Sequence, residues 1–159
     1  PETLAFIQSD EVAIYAASAD GRRRAHACRA FGCRPCPDGR TLLTWVDRQA
    51  AGKLLGDIAS NARFALSVTH PRTCRTVQLK SVDATIEPAD RADYAVVAAK
   101  QEGFVRETAA MGYPEDVMRA VVQARLHELV AIRFTPVAAF VQTPGPDAGA
   151  AFDAVHAVG

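Results

Sequence analysis

A chain that lays down three β-strands in succession, with only tight turns between them, has few architectures open to it. Residues 12–17 read as such a strand, with Val12, Ile14 and Ala16 alternating against Ala13, Tyr15 and Ala17 and both sides expected to be largely buried. Asp20-Gly21 signals a tight turn. Residues 22–33 give a second strand, opened by Arg22-Arg23-Arg24 and carrying His26, Cys28 and Ala30 on one face. Pro35-Cys36-Pro37-Asp38-Gly39 turns the chain again, and Thr41 to Val46 is the third strand. Parallel neighbours need long crossovers, so short turns of this kind force antiparallel pairing.

The remaining order follows from periodicity. Asp47 is placed to cap a helix running to about Ser60, with Leu54, Leu55 and Ile58 as its apolar stripe. Residues 62–70 and 75–87 read as strands and 90–110 as a helix containing Gly103. Pro114 opens a further helix, with Val117, Met118, Val121, Val122, Leu126 and Leu129 as its expected buried side. Residues 130–141 form a last strand, interrupted at Pro136. Leu4, Phe6 and Ile7 anchor a short amphipathic lead. Six antiparallel strands with flanking helices, in the order β-β-β-α-β-β-α-α-β, predict a mainly β, closed or nearly closed antiparallel barrel. The expected domain spans residues 1–143. Residues 144–159, rich in Gly, Ala and Pro, form a tail or an arm reaching a partner subunit.

The strand at Arg75-Thr76-Val77-Gln78-Leu79-Lys80-Ser81 carries an unusually polar alternate face, made by Thr76, Gln78 and Lys80. Amide, hydroxyl and ammonium groups in a row suit a polar, anionic ligand, against the plainer reading of a solvated sheet face. Beyond Ser81 the apolar parity flips to Val82, Ala84 and Ile86, which predicts a β-bulge near Lys80–Ser81.

A length of 159 residues, 49% hydrophobic and 23% charged, fits one soluble domain with a real core. A formal net charge of zero leaves no electrostatic footprint for nucleic acid. The apolar runs are too short to span a bilayer, and residues 1–15 lack a signal-peptide pattern, so the expected location is cytoplasmic.

Three short motifs resemble the FMN-binding split-barrel superfamily, which includes pyridoxamine 5′-phosphate oxidase. They are the second strand into Gly32-Cys33 with Pro37-Asp38-Gly39-Arg40-Thr41-Leu42, the segment Asn61-Ala62-Arg63-Phe64-Ala65-Leu66, and Arg75 to Lys80. The family commonly has Gly where Ser81 stands and Asn-Pro where Asn61-Ala62 stands. The resemblance covers residues 5–142 and implies a six-stranded split barrel that forms a homodimer, with FMN in clefts at the subunit interface. It also implies a flavin-dependent oxidoreductase acting on a small molecule; relatives bind deazaflavin F420 or haem, and some bind no flavin. In the family the flavin phosphate is held by basic residues of the second strand, where Arg29 stands, and of the helix after the third strand. Counting back from Asn61, that helix motif falls on Gly52-Lys53-Leu54, where only Lys53 keeps a charge. The loop before it is two residues longer and supplies Arg48 and Gln49. Thr44, Thr76, Gln78, Arg75 and Lys80 complete the expected cofactor set. The family's Arg-x-His substrate pattern is missing from residues 133–143, so pyridoxamine phosphate is not the expected substrate.

Two other patterns compete. Cys28-x4-Cys33-x2-Cys36, with Cys74 downstream, matches plant-type [2Fe–2S] ligand spacing, yet Cys28 falls inside a strand and Cys36 between two turn prolines. No His stands at zinc-ligand spacing beside these thiols, so no metal is expected. His26 is placed to line the cofactor cleft or to be a satisfied strand histidine; His70, His127 and His156 share no pattern and carry no expected role.

Overall fold

The computed structural model describes residues 2–154. Its elements are α1 (Glu2–Gln8), β1 (Ala13–Ala19), β2 (Ala25–Pro35), β3 (Leu42–Asp47), α2 (Gly52–Asn61), β4 (Phe64–Thr69), β5 (Thr76–Ser81), β6 (Thr85–Pro88), α3 (Arg91–Ala109), α4 (Glu115–Val122), a 3-10 turn at Leu126–Glu128, β7 (Leu129–Phe134), β8 (Ala138–Val141) and β9 (Ala151–Phe152).

Each early turn closes on one aspartate. Asp20 Oδ1 accepts from the N–H groups of Arg22 and Arg24 at 2.8 and 2.9 Å. The left-handed residue there is Arg23 rather than Gly21. Asp38 accepts from the N–H groups of Arg40 and Thr41 and from the Thr41 hydroxyl. These bonds, led by the Thr41 amide, hold its carboxyl down at about 2.

Every pairing in the sheet is antiparallel, in the order β6-β7-β3-β2-β1-β4-β5-β8-β9. Nine strands replace the six expected because two long strands are each broken into two and β9 is added. β5 runs into β6 and β7 into β8, and the two kinked strands pair with one continuous register: Lys80 faces Ala138, and Thr85 faces Arg133. Since β5 also pairs with β4, and β7 with β3, the six physical strands close into a ring. The parity flip after Ser81 is thus a strand break over Val82–Ala84. Asp83 pins it by accepting from the Ser81 hydroxyl at 2.6 Å and the Thr135 amide at 2.9 Å.

The bulge lies elsewhere, in β2. Ala30 faces Val46 but Cys33 faces Thr44, so one extra residue is inserted. Gly32 sits there at φ 140°, and a Cβ on it would meet Lys100 and Trp45 side-chain carbons at 3.1 Å. The insertion keeps Ala30 and Cys33, of opposite parity, on the core side.

The barrel is filled by Ile14, Leu42, Val46, Leu66, Leu79 and Ile132 and closed by Leu54, Leu55 and Ile58 of α2, with Phe6 and Ile7 of α1 in the same cluster. A second cluster, around Trp45, Leu43, Ala131 and Val97, packs α3 against the outside of β3 and β7. α3 begins at a capping box between Asp90 and Asp93. α4 departs from expectation: it ends at Val122, Leu126 lies in the 3-10 turn and Leu129 in β7, and although Val122 and Leu129 are buried, Val117, Val121 and Leu126 are exposed. An amphipathic pattern fixes which side is apolar, not which neighbour covers it. The start of the tail folds back, β9 pairing with β8; residues 155–159 lie outside the described residues. No helix among the described residues is long and apolar enough to cross a membrane.

Candidate functional site

The N-terminus of α2 forms one wall of a cleft of about 560 Å³, lined by Gln49, Gly52 and Lys53 on one side and by Ala25, His26 and Ala27 of β2 on the other. Two features bring these together. Asp47 does not cap α2; it accepts from the amides of Gln49 and Ala50, and its two carboxylate oxygens take Arg125. Arg125 also donates to Gln49 Oε1 at 2.5 Å, and the Arg48 amide donates to Glu128. The longer loop is therefore braced from the 3-10 turn. At α2 itself the N-cap is Ala51, with no side-chain cap bond; the Gly52 amide donates to Gln49 O at 3.4 Å, which leaves the Lys53 and Leu54 amides of the first turn to an outside acceptor.

His26 reaches this cleft from a fixed position. Its Nδ1 lies 2.7 Å from Asp57 of α2, and Asp57 also accepts from the buried Ser18 hydroxyl at 2.7 Å. The bonds from Ser18 and His26, in that order, hold the Asp57 carboxyl below its ordinary range, so it is ionised and accepts only. Nδ1 must then be the donor, which leaves Nε2 with the lone pair in the neutral ring. Sequence reasoning missed Ser18, Asp57 and Arg125. An aspartate on an otherwise apolar helix side, between Leu54 and Ile58, was the one available signal.

Beside the cleft lies an open sheet face with a floor of small side chains. Ala25 pairs with Ala19, Ala27 with Ala17, and Ala17 with Ala65. A polar row runs parallel to it across four strands: Arg29 faces Tyr15, Tyr15 faces Ser67, and Ser67 faces Gln78. Lys80 faces Ala65 at the far side, its ammonium 4.7 Å from the Phe140 ring centroid. A groove of about 300 Å³ opens there among Ala17, Ala19, Ala65, Arg63 and Lys80.

The expected cofactor residues therefore divide. Lys53 and Gln49 line the cleft, with exposed Arg48 next to them. Gln78, Lys80 and Arg29 lie on the open sheet face, where Arg29 stacks over Tyr15 and Phe104 at 5.3 and 5.1 Å. Thr44 is removed from any ligand: it is fully buried, because β3 is covered on both sides, and its hydroxyl donates to Gly32 O at 2.6 Å. Arg75 instead lies over the Phe6 ring and pairs with Glu2, tying β5 to α1. The four cysteines do not converge. Cys28 and Cys33 face the barrel core, Cys36 is buried and accepts from Arg133 at 2.7 Å, and Cys74 is exposed. That scatter overturns the [2Fe–2S] reading.

Comparison with solved structures shows the same fold. An F420 reductase aligns with TM-score 0.55 and 14% identity over 85% of this chain and 93% of its own. HupZ of Group A Streptococcus aligns with TM-score 0.56 and 13% identity over 93% and 97%. A Clostridium acetobutylicum protein related to general stress protein 26, of the pyridoxinephosphate oxidase family, aligns with TM-score 0.52 and 10% identity over 90% and 87%. Neither protein-family models nor curated proteins gave a match.

Proposed function

Starting from a split barrel of the pyridoxine-phosphate-oxidase type, we propose that this chain is a flavin-binding oxidoreductase acting on a small molecule, with FMN or deazaflavin F420 as cofactor. The observation that carries this reading is the continuity between the α2 cleft and the alanine floor. Uncapped helix amides and Lys53 suit a phosphate, and the adjoining floor of small side chains suits a planar ring. Arg48, Gln49 and Lys53 would hold the phosphate end; Gln78 and Lys80 offer a donor amide and a cation toward the ring edge. The cofactor, when bound, supplies the hydride chemistry. The chain's own part is to position it, to hold the His26 ring at the cleft wall through Asp57, and to shield the cofactor ring from water.

The open sheet face also supports a homodimer. Tyr15 and Val82 are each about half exposed and border the alanine floor, so a second copy would cover the ring side of the cleft. Light scattering should give twice the 17.0 kDa chain mass at micromolar concentration. A stable monomer there would remove the interface cleft.

A second reading rests on one observation. An imidazole whose Nδ1 donates to an ionised carboxylate is a more basic metal ligand through Nε2, so haem is the rival occupant and His26 would be the residue to hold its iron. Titrating the protein with FMN, riboflavin, F420 and haemin separates the two. The flavin reading expects FMN or F420 to bind more tightly than riboflavin and to quench Trp45 fluorescence. Equal affinity for FMN and riboflavin would refute the phosphate site. A Soret shift lost in His26→Ala would establish haem instead.

A further inference from the structure

At the opposite end of β1 from the α2 cleft, three side chains from three elements converge. Glu11 precedes β1, His70 follows β4, and Glu107 lies in the last turns of α3. One ligand atom from each lies within 4.8 Å of the others. His70 Nε2 is 3.5 Å from Glu11 Oε2 and 3.6 Å from Glu107 Oε1. We propose that Glu11, His70 and Glu107 form a divalent-metal site that takes Zn²⁺, with the fourth position open to water.

The geometry fits the ion. Zinc bonds of about 2.0–2.1 Å in a tetrahedron place ligand atoms about 3.3–3.4 Å apart. The two His70 edges need to shrink by only a few tenths of an ångström. One imidazole and two carboxylates with a water position is a donor set zinc accepts.

An independent observation points to a missing partner. Glu107 is 8% exposed, and its Oε1, the oxygen turned toward His70, is buried without a hydrogen bond. A buried carboxylate oxygen left unpaired is costly. Its other oxygen, Oε2, is already held by Arg72 at 2.8 Å, which fixes the carboxylate plane and leaves Oε1 to a different cation. Glu11 is exposed, giving the ion a path from solvent.

The arrangement also limits affinity. The Arg72 amide donates to His70 Nδ1 at 3.3 Å, so the neutral ring carries its proton on Nε2. Metal binding at Nε2 displaces that single proton to Nδ1, which breaks the long hydrogen bond from the Arg72 amide. The Arg72 guanidinium adds a nearby positive charge. Both features weaken binding relative to three ligands with no opposing charge.

The test is calorimetric titration of the reduced, chelator-treated full chain with ZnCl₂, alongside His70→Gln, Glu11→Gln and Cys74→Ser. Cys74 is included because its exposed thiol follows closely on the His70 turn. Expected are one equivalent of zinc bound by wild type and by Cys74→Ser, and affinity more than about tenfold weaker in the other two. The ring-proton NMR signals of His70 should shift with zinc. Glu11→Gln alters an exposed side chain, so it decides the matter if His70→Gln does not fold. No binding by the folded wild type, binding unchanged in Glu11→Gln, or binding lost in Cys74→Ser would each overturn the site.

Discussion

Replacing Gly103 with alanine sets two physical effects against each other. Gly103 sits inside α3, where alanine is favoured by about 1 kcal/mol over glycine from helix propensity alone. Yet a Cβ there would lie 2.3 Å from Asp10 Cβ, 2.5 Å from Asp10 O and 2.8 Å from Asp10 C. Reaching an ordinary contact near 3.4 Å from the 2.3 Å start requires the Asp10 backbone to retreat by roughly an ångström. That backbone is not free to move: Lys100 Nζ donates to the carbonyls of Gln8 and Ser9 and pairs with Asp10. Overpacking of this kind costs about 1–3 kcal/mol. Because the clash includes backbone atoms the upper half of that range applies, and the balance is a net loss of about 1–2 kcal/mol, or roughly 2–8 °C in Tm for a domain of this size. Gly56→Ala in α2 is the matched control. Nothing lies within 4 Å of a Cβ at Gly56, so propensity acts alone there and should stabilise by about 0.5–1 kcal/mol. Thermal melts of both variants at one fixed protein concentration should move in opposite directions. A Gly103→Ala melt at or above wild type would refute the close contact between α3 and the Ser9–Glu11 loop.

Three further outcomes are expected. Lys53→Ala should weaken FMN about tenfold and leave riboflavin unchanged, the low end of the range for a charge-assisted bond because Lys53 is exposed; unchanged FMN binding would remove Lys53 from the phosphate site. Asp38, with its carboxyl at about 2 when folded and an ordinary value near 3.8, contributes stability that is present above pH 4 and lost as pH falls toward 2. Asp38→Asn should flatten that part of the pH–stability curve, and an equally steep acid limb in the variant would contradict the turn geometry. Of the four thiols, only exposed Cys74 should react quickly with a disulfide reagent at neutral pH, since burial pushes Cys28 up to about 11 and Cys33 up to about 12 and Cys36 is buried; a second fast thiol in the native protein would contradict this burial.

Much of the barrel is legible in the sequence because its signals are local. Asp20 and Asp38 sit in turns where a carboxylate can take successive amides; β1, by contrast, reads as buried on both sides, yet it buries Ile14, Ala16 and Ser18 while Tyr15 stays half exposed. What escapes local reading depends on partners far along the chain. The bulge at Gly32 exists because Cys33 must face the core while Thr44 satisfies the freed carbonyl across the strand pair. Arg75 belongs to a strand end that happens to meet α1, so its charge is spent on Glu2 and Phe6 rather than on a cleft. The cleft itself was half visible: Lys53 and Gln49 could be placed by counting from Asn61, whereas the Ser18–Asp57–His26 chain needs the tertiary meeting of β1, β2 and α2. His70 shows the same limit. Its neighbours Glu11 and Glu107 come from opposite halves of the chain, so no spacing rule could have found them.

The kinked pair that closes the ring restricts how this sequence can change in length. β5–β6 and β7–β8 share one register through both kinks, although α3 and α4 lie between them in the chain. A residue inserted in Val82–Ala84 would shift β6 against β7 while leaving β5 on β8, and a one-residue shift turns every side chain to the wrong face. An insertion opposite it, between Phe134 and Ala138, would restore both halves. Length changes at the two kinks are thus tolerable only as matched pairs, whereas a length change in the turn between α3 and α4 leaves that shared register untouched.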